Sequence, residues 1–150
     1  MPESYAPGNV RRHTWGWSFR LHWGPREELW LARGRAGGAS SYHYHEAKSN
    51  VFIVASGEVE LWSAGEVVIC KPGASYLMRP FIPHRMVFRT DAELYEFYVV
   101  EPGELLDPGD IVRMRDGWAP GKGPDRYEGE LEAMIEAAKK PAEDEELSDL

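Results

Sequence analysis

The sequence predicts an all-β domain, and three observations support that prediction. Eight short runs rich in aromatic and β-branched residues follow one another between residues 15 and 100. Glycine and proline interrupt them at close intervals, for example at GP, GRAGG, AG and KPG. No stretch before residue 125 has the apolar spacing of a helix. Many short strands at close spacing indicate a sandwich or a barrel.

The strand candidates divide the first hundred residues between them. In chain order they are WGWSFRLHW, ELWLARG, NVFIVAS, VELWS, EVVIC, SYLMR, HRMVFR and ELYEFYVV. Four tryptophans crowd the first two runs: Trp15, Trp17, Trp23 and Trp30. Such stripes usually belong to a core or a subunit interface, and a sugar-stacking platform is the alternative.

The two ends of the chain differ from this pattern. Residues 1–13 are expected to form a polar arm, and residues 14–118 the β-barrel. Residues 119–140 are expected to hold a linker and a C-terminal helix, followed by a disordered acidic tail over residues 141–150. The helix is predicted from apolar residues at helical spacing, namely Leu131, Met134, Ile135 and Ala138.

Composition narrows the classes of function. The 150 residues fit one domain, and the formal net charge of −8 gives no basic patch for nucleic acid. Cys70 is the one cysteine, so no intrachain disulfide forms, and its apolar strand indicates a buried residue. No run approaches the roughly 20 apolar residues of a membrane span, and the N-terminus lacks a signal-peptide pattern. We expect a soluble, cytoplasmic protein.

Three histidines suggest a metal site. His43 and His45 alternate in a predicted strand, so both side chains point to one face. His84 begins another strand and meets the pair if the sheet curls on itself. Neutral imidazole is a good ligand for Zn, Fe, Ni, Cu and Mn, and three histidines with open positions describe a catalytic site. His13 and His22 fit no ligand spacing.

The spacing around these histidines resembles the two motifs of the cupin superfamily. The first motif maps onto Gly37, His43, His45, Asn50 and Gly57, with Asn50 in the place of the motif's Glu. The second runs from Gly65 through Pro72-Gly73 to Pro83-His84 and places its third histidine ligand at His84. The resemblance implies a double-stranded β-helix, or jelly-roll barrel, with a pocket at one end. It also implies one divalent transition metal, a small-molecule ligand and a homodimer.

A second resemblance points to a narrower group. The segment GELLDPGDIVRMRD, residues 103–116, is similar to the stretch after the last strand in the cupin domain of type II mannose-6-phosphate isomerases. The isomerase pattern has Arg, Glu and Trp where this chain has Lys48, Asn50 and Phe52, and its later Tyr-Gly-Arg is missing. The fold is therefore expected to carry over better than the isomerase activity.

Asn50 changes the expected metal chemistry. Its amide is neutral, so a site made of histidines with or without Asn50 keeps nearly the full +2 charge of the ion. Such an ion is a stronger Lewis acid and is held less tightly. The alternative is a metal site that has decayed to a polar ligand pocket. The metal identity (Zn, Mn, Fe or Ni) stays open.

Other polar residues are candidates for binding and catalysis. Lys48, Arg79 and Arg85 are candidate substrate-binding residues for an anionic group, with a solvated charge or a surface ion pair as the alternative. In ELYEFYVV the pocket face holds either Tyr95, Phe97 and Val99 or Leu94, Glu96 and Tyr98. On the second face Glu96 and Tyr98 become catalytic acid–base candidates. Tyr42 and Tyr44 are expected to point away from the metal and to pack.

Three functions fit these residues. The first is a metal-dependent enzyme acting on a small polar substrate, a sugar or sugar phosphate, by isomerase- or epimerase-like chemistry. The second is a three-histidine non-haem iron enzyme of the dioxygenase kind. The third is a ligand-binding cupin without turnover, which the missing Glu at Asn50 favours.

Overall fold

The computed structural model describes residues 9–123, which form eleven strands and no α-helix. The strands are β1 (Val10–His13), β2 (Gly16–Trp23), β3 (Glu27–Gly34), β4 (Tyr42–Tyr44), β5 (Ser49–Ser56), β6 (Val59–Ser63), β7 (Glu66–Cys70), β8 (Ser75–Met78), β9 (His84–Phe88), β10 (Ala92–Val99) and β11 (Val112–Arg115). The predicted all-β class is confirmed. No helix of the described residues is long and apolar enough to cross a membrane.

Two antiparallel sheets face each other across the core. One has the order β1-β2-β3-β10-β5-β8 and the other β11-β4-β9-β6-β7. The chain changes sheet between β3 and β4, between β4 and β5 and again between β5 and β6, which is the winding of a jelly roll. The interior between the sheets is filled by Trp15, Ala32, Phe52, Val54, Val59, Leu61, Cys70, Met78, Met86, Phe88, Ala92 and Leu94.

The register of β10 decides which of its residues face the interior. Leu94 lies opposite the core residues Val54 and Ala32, so Leu94 and every second residue from it along β10 point inward. Glu96 and Tyr98 are among these residues, whereas Tyr95 and Phe97 are exposed on the outer face. The interior is therefore apolar at one end of the barrel and polar at the other, where the cavity opens.

A glycine fixes the turn between β5 and β6. Gly57 has a φ of +78°, and a Cβ there would lie 2.2 Å from the carbonyl oxygen of Asp91. Only glycine fits this left-handed, closely packed position. The turn returns the chain from the sheet that carries Asn50 to the sheet that carries His84.

The strand predictions hold for all eight runs, and three further strands appear. β4 carries His43, with His45 just after its end, where a strand was expected for the histidine pair, while β1 and β11 are additional. Within the predicted polar arm, residues 10–13 pair with β2 as an edge strand. The predicted helix and the acidic tail lie outside the described residues.

The four tryptophans do not form one stripe. Trp15 and Trp30 are buried, whereas Trp17 and Trp23 are exposed and are covered by the guanidinium groups of arginines. The register between β2 and β3 shifts between Arg20 and His22, which reverses the faces of the residues that follow. The core assignment is therefore correct for two of the four side chains.

Candidate metal centre and cavity

The three predicted histidine ligands come together on the five-stranded sheet. His43 on β4 lies directly opposite His84 on β9, and His45 follows just after β4 on the same face. One ligand nitrogen from each ring lies within 4.8 Å of the others. The ring centroids of His43 and His84 are 4.6 Å apart, and those of His45 and His84 are 5.5 Å apart. The expected histidine cluster is therefore present.

Backbone carbonyls orient all three imidazoles in the same way. Nδ1 of His43 donates to the carbonyl of Ser41 at 2.9 Å, and Nδ1 of His84 donates to that of Ile82 at 2.9 Å. Nδ1 of His45 donates to the carbonyl of Asp110 at 2.6 Å. A carbonyl accepts only from a protonated nitrogen, so each Nε2 keeps its lone pair. Hydrogen bonding of this kind fixes the tautomer that a metal-binding histidine needs.

Burial keeps these imidazoles neutral. It lowers the pKa of His43 to about 2, with the neighbouring His84 and His45 adding to the effect. It also lowers the pKa of His45 to about 4 and lowers that of His84. At neutral pH the cluster therefore presents three uncharged donors, which is the protonation state that metal coordination requires.

Three buried polar atoms of this region lack a hydrogen-bond partner. They are Nε2 of His45, Nε2 of His84 and Oδ1 of Asn50. Orphaned buried acceptors are costly, and each one in a native structure calls for an explanation. Asn50 is 1% exposed and lines the same cavity as His43 and His45. A divalent ion would satisfy nitrogen and amide-oxygen donors of this kind, so the residues fit a transition metal.

Asp110 fastens the loop that carries His45. Its carboxylate accepts hydrogen bonds from the backbone N–H groups of Glu46, Ala47 and Lys48 at 2.8, 2.9 and 3.0 Å. Partial burial raises the pKa of this carboxyl, but the three N–H donors outweigh it and the pKa is lowered. Sequence analysis singled out Asp110 only as part of a family-like segment, so its positioning role was missed.

Glu96 and Tyr98 face the cavity, so the second of the two predicted faces of β10 is the observed one. The hydroxyl of Tyr98 donates a short hydrogen bond to the carboxylate of Glu96. Burial raises the pKa of Glu96, while the Tyr98 bond and the charge of Lys48 oppose the rise. Burial and the Glu96 carboxylate raise the pKa of Tyr98 well above its usual value. A coupled carboxyl–phenol pair can hold and move a proton.

The cavity itself has a volume of about 470 Å³ and lies between the two sheets. Its wall includes His43, His45, Asn50, Glu96 and Tyr98. Lys48 also lines it, and its ammonium lies 4.4 Å from the centroid of the Tyr98 ring. Of the three predicted substrate-binding cations, Lys48 is thus the one that reaches the cavity. The volume suits a small organic ligand.

The two predicted substrate-binding arginines lie elsewhere, and those two assignments are corrected. Arg79 is exposed and does not line the cavity. Arg85 is fully buried, and its guanidinium donates to the carbonyls of Ser40 at 2.9 Å and Asp116 at 2.7 Å. It also lies 4.6 Å from the Trp118 ring. The alternation of β9 turns Arg85 away from the face that carries His84.

Two other arginines line the cavity, and sequence analysis missed both. Arg11 comes from β1 and Arg113 from β11. Arg113 lies directly opposite His43 in the ladder between β11 and β4. Both strands are four-residue edge strands, VRRH and VRMR, whose residues are mostly exposed, so their pairing gave no readable signal. The one indication in the sequence was that Arg11 and His13 alternate within VRRH, so that in a strand both side chains point to the same face.

Solved structures of similar fold come from several enzymes and related proteins. A sugar phosphate isomerase of the cupin superfamily from Silicibacter pomeroyi matches 66% of this chain and 75% of its own at 20% identity and a TM-score of 0.53. An RmlC-like cupin from Shewanella frigidimarina matches 69% of this chain and 95% of its own at 15% identity and a TM-score of 0.56. Oxalate decarboxylase from Bacillus subtilis has a TM-score of 0.60 at 12% identity, and this chain covers 31% of its length. These likenesses concern the fold.

The sequence also matches a family model directly. Residues 30–101 match the model described as "Cupin domain", a range that includes His43, His45, Asn50 and His84. A search of curated proteins found no match. The family model, the jelly-roll winding and the clustered histidines agree, and residues 30–101 are a cupin domain.

Proposed function

We propose that this cupin is a metal-dependent enzyme that moves a proton on a small, sugar-like substrate. The observation that carries the proposal is that one cavity is lined by two members of the three-histidine cluster, His43 and His45, and by the buried pair Glu96 and Tyr98. A structural histidine cluster would not need an acid–base pair in the same cavity. A binding pocket would not need two buried Nε2 atoms without hydrogen-bond partners, those of His45 and His84, in the histidine cluster beside it.

The metal ligands in this proposal are His43, His45 and His84, with Asn50 as a fourth ligand or a substrate contact. A bound divalent ion such as Zn, Mn, Fe or Ni would supply Lewis-acid polarisation of a substrate carbonyl or hydroxyl. Because all four donors are neutral, the ligands would leave the charge of the ion uncompensated. The protein contributes the fixed orientation of the imidazoles through Ser41, Asp110 and Ile82.

Glu96 is the proposed base and Tyr98 its partner. Burial raises the pKa of Glu96 toward the range in which a carboxylate accepts a proton effectively. The hydroxyl of Tyr98 holds the carboxylate in place by donating to it. Removal of a proton beside a polarised carbonyl leads to isomerisation when a proton returns to the carbonyl carbon and the neighbouring hydroxyl proton moves to the carbonyl oxygen. It leads to epimerisation when the proton returns to the same carbon from the opposite face. The sugar phosphate isomerase among the structural neighbours supports this class of reaction.

Solvent deuterium exchange tests this function without requiring the product to be known. Metal-loaded protein is incubated in D2O with aldose and ketose phosphates, and exchange of the proton next to the carbonyl is followed by NMR. We expect exchange with the wild type and a loss of about 10²- to 10⁴-fold in Glu96→Gln, because a general base contributes that much.

The matched control is Glu93→Gln. Glu93 lies on the same strand, pairs with Arg33 and does not line the cavity, so exchange should be unchanged. Binding of a sugar phosphate without exchange in the wild type would contradict an enzyme and leave the ligand-binding alternative. Equal exchange rates in Glu96→Gln and Glu93→Gln would show that Glu96 is not the base. Oxygen consumption instead of exchange would favour the dioxygenase alternative.

We also propose a homodimer, in which a second copy covers the outer face of the six-stranded sheet. Large apolar side chains are exposed there on three adjacent strands: Ile53, Leu77, Tyr95 and Phe97. Exposed apolar patches of this kind mark interaction surfaces. Light scattering of the wild type and of Tyr95→Lys/Phe97→Lys should give a dimer and a monomer, respectively. A wild-type monomer would contradict the proposal.

A further inference from the structure

Three basic side chains line the cavity, with the Lys48 ammonium in the electrostatic field of the Glu28, Asp110 and Glu96 carboxylates. They belong to Arg11, Lys48 and Arg113, and none of them forms an ion pair within residues 9–123. The acidic side chains of the wall are engaged differently. Glu28 accepts from Arg20 at 3.0 Å, and Glu96 accepts from Tyr98. The exposed Asp116 also lines the cavity and pairs with neither arginine.

Arg113 stands beside the histidine cluster. The ladder across the five-stranded sheet places Arg113, His43 and His84 in one row, with directly opposed Cα atoms at each step. Cross-strand partners point to the same face of a sheet, so Arg113 shares the cavity face with both histidines.

Arg11 approaches the same cavity from the other sheet. Its guanidinium lies 4.5 Å from the centroid of the Trp30 ring, and a cation over an indole face is held in position. Burial lowers the pKa of His13 to about 4, and the charges of both Arg11 and Arg113 add to the shift. Arg11, His13 and Arg113 line the same cavity, although β1 and β11 belong to different sheets.

We infer that Arg11, Arg113 and Lys48 form a subsite for an anionic group, a phosphate or a carboxylate, on the ligand whose other end reaches the histidine cluster. Guanidinium groups bind both anions through paired N–H donors. Arg11 and Arg113 lie outside residues 30–101, so strands that flank the family domain supply this specificity. Binding of the anionic group does not depend on the proposed reaction. Only the role of the ligand's other end, at the histidine cluster, rests on the proposed function.

Direct binding tests the subsite. Wild-type protein is titrated by calorimetry with glucose 6-phosphate, gluconate and glucose, which carry a phosphate, a carboxylate and no charge. We expect at least one of the two anions to bind more tightly than glucose. The variant Arg11→Gln/Arg113→Gln should lose about 10- to 100-fold in affinity for that anion, because two charge-assisted contacts are removed. Its affinity for glucose should be unchanged.

The control Arg12→Gln/Arg115→Gln removes the same charge from the same two strands. Both of these arginines are exposed and neither lines the cavity, so anion affinity should stay at the wild-type value. Equal losses in both double variants, or no anion preference in the wild type, would overturn the inference. A melting curve of each variant confirms folding. Because the readout is binding, absence of deuterium exchange would refute the proposed reaction and leave the subsite standing.

Discussion

Nδ1 of His45 donates a 2.6 Å hydrogen bond to the backbone carbonyl of Asp110, which is 65 residues further along the chain. The carboxylate of the same residue accepts from the three backbone N–H groups that follow His45. Asp110 therefore fixes both the tautomer of the ring and the loop behind it. Partners of this kind commonly determine metal affinity as much as the position of the ligands does.

Asp110→Ala is predicted to weaken metal binding by about 10- to 100-fold while leaving the three histidines in place. The loop over residues 46–48 loses its acceptor, and the orientation of His45 loosens with it. The measurement is the dissociation constant for Zn²⁺ and Mn²⁺ by competition with a chelating dye. Asp107→Ala is the matched control, because within residues 9–123 the Asp107 carboxylate accepts one hydrogen bond, from the backbone N–H of Gly109. Equal affinities in the two variants would contradict a positioning role.

Arg85→Met is predicted to destabilise the protein by about 3 kcal/mol or more. The substitution leaves the carbonyls of Ser40 and Asp116 without their buried donor and removes the contact with the Trp118 ring. Urea unfolding gives the free energy of unfolding directly. Arg79→Met, at the exposed arginine of the same segment, should change it by less than about 0.5 kcal/mol. A larger effect on anion binding than on stability in Arg85→Met would instead restore its predicted substrate role.

Ala64→Asn is predicted to stabilise the protein by about 0.5–1 kcal/mol. Ala64 and Gly65 join β6 to β7 with φ values of 52° and 78°, which is a two-residue turn with both residues left-handed. Asn-Gly suits such a turn, whereas alanine pays a steric cost in the left-handed region. Thermal unfolding should show the rise in melting temperature. Gly65→Ala should lower it, and a rise in that variant would refute the assigned turn.

His13 is predicted to make stability fall as the pH drops from about 6.5 to about 4. Burial, followed by Arg11 and Arg113, lowers the pKa of the folded state to about 4 from the ordinary 6.5. The unfolded chain therefore binds more protons in this window, and protons favour unfolding. The free energy of unfolding of His13→Gln should decline less steeply than that of the wild type between these pH values. Parallel profiles would show that the ring is not held neutral.

The strands that sequence analysis identified are those with a strong apolar or aromatic pattern. Burial on the interior face imposes that pattern, as in NVFIVAS, where Phe52 and Val54 face the core. β1 and β11 carry VRRH and VRMR, because edge strands at a polar cavity bury little. Their existence follows from pairing with β2 and β4, which a single sequence does not encode locally.

The residues of the candidate site were likewise predictable only where the local sequence pattern identifies them. The histidine spacing was readable because two ligands share a strand and the third lies in a recognisable motif. The face of β10 was not readable, since both parities carry aromatic residues, and only the register with β3 and β5 selects Glu96 and Tyr98. Arg85 resembled a pocket residue because it follows His84, but strand alternation places Arg85 on the opposite face of the sheet, where it is buried against Trp118.

Metal content measured on protein purified without a histidine tag tests the central claim most directly. The account predicts about one equivalent of a single transition metal in the wild type and in His22→Ala, whose exposed imidazole contacts Glu27 outside the cavity. It predicts loss of that metal in His84→Ala, because the cluster then keeps two of its three imidazoles. Substoichiometric, mixed metal that is unchanged in His84→Ala would contradict the metal centre and leave a ligand-binding barrel.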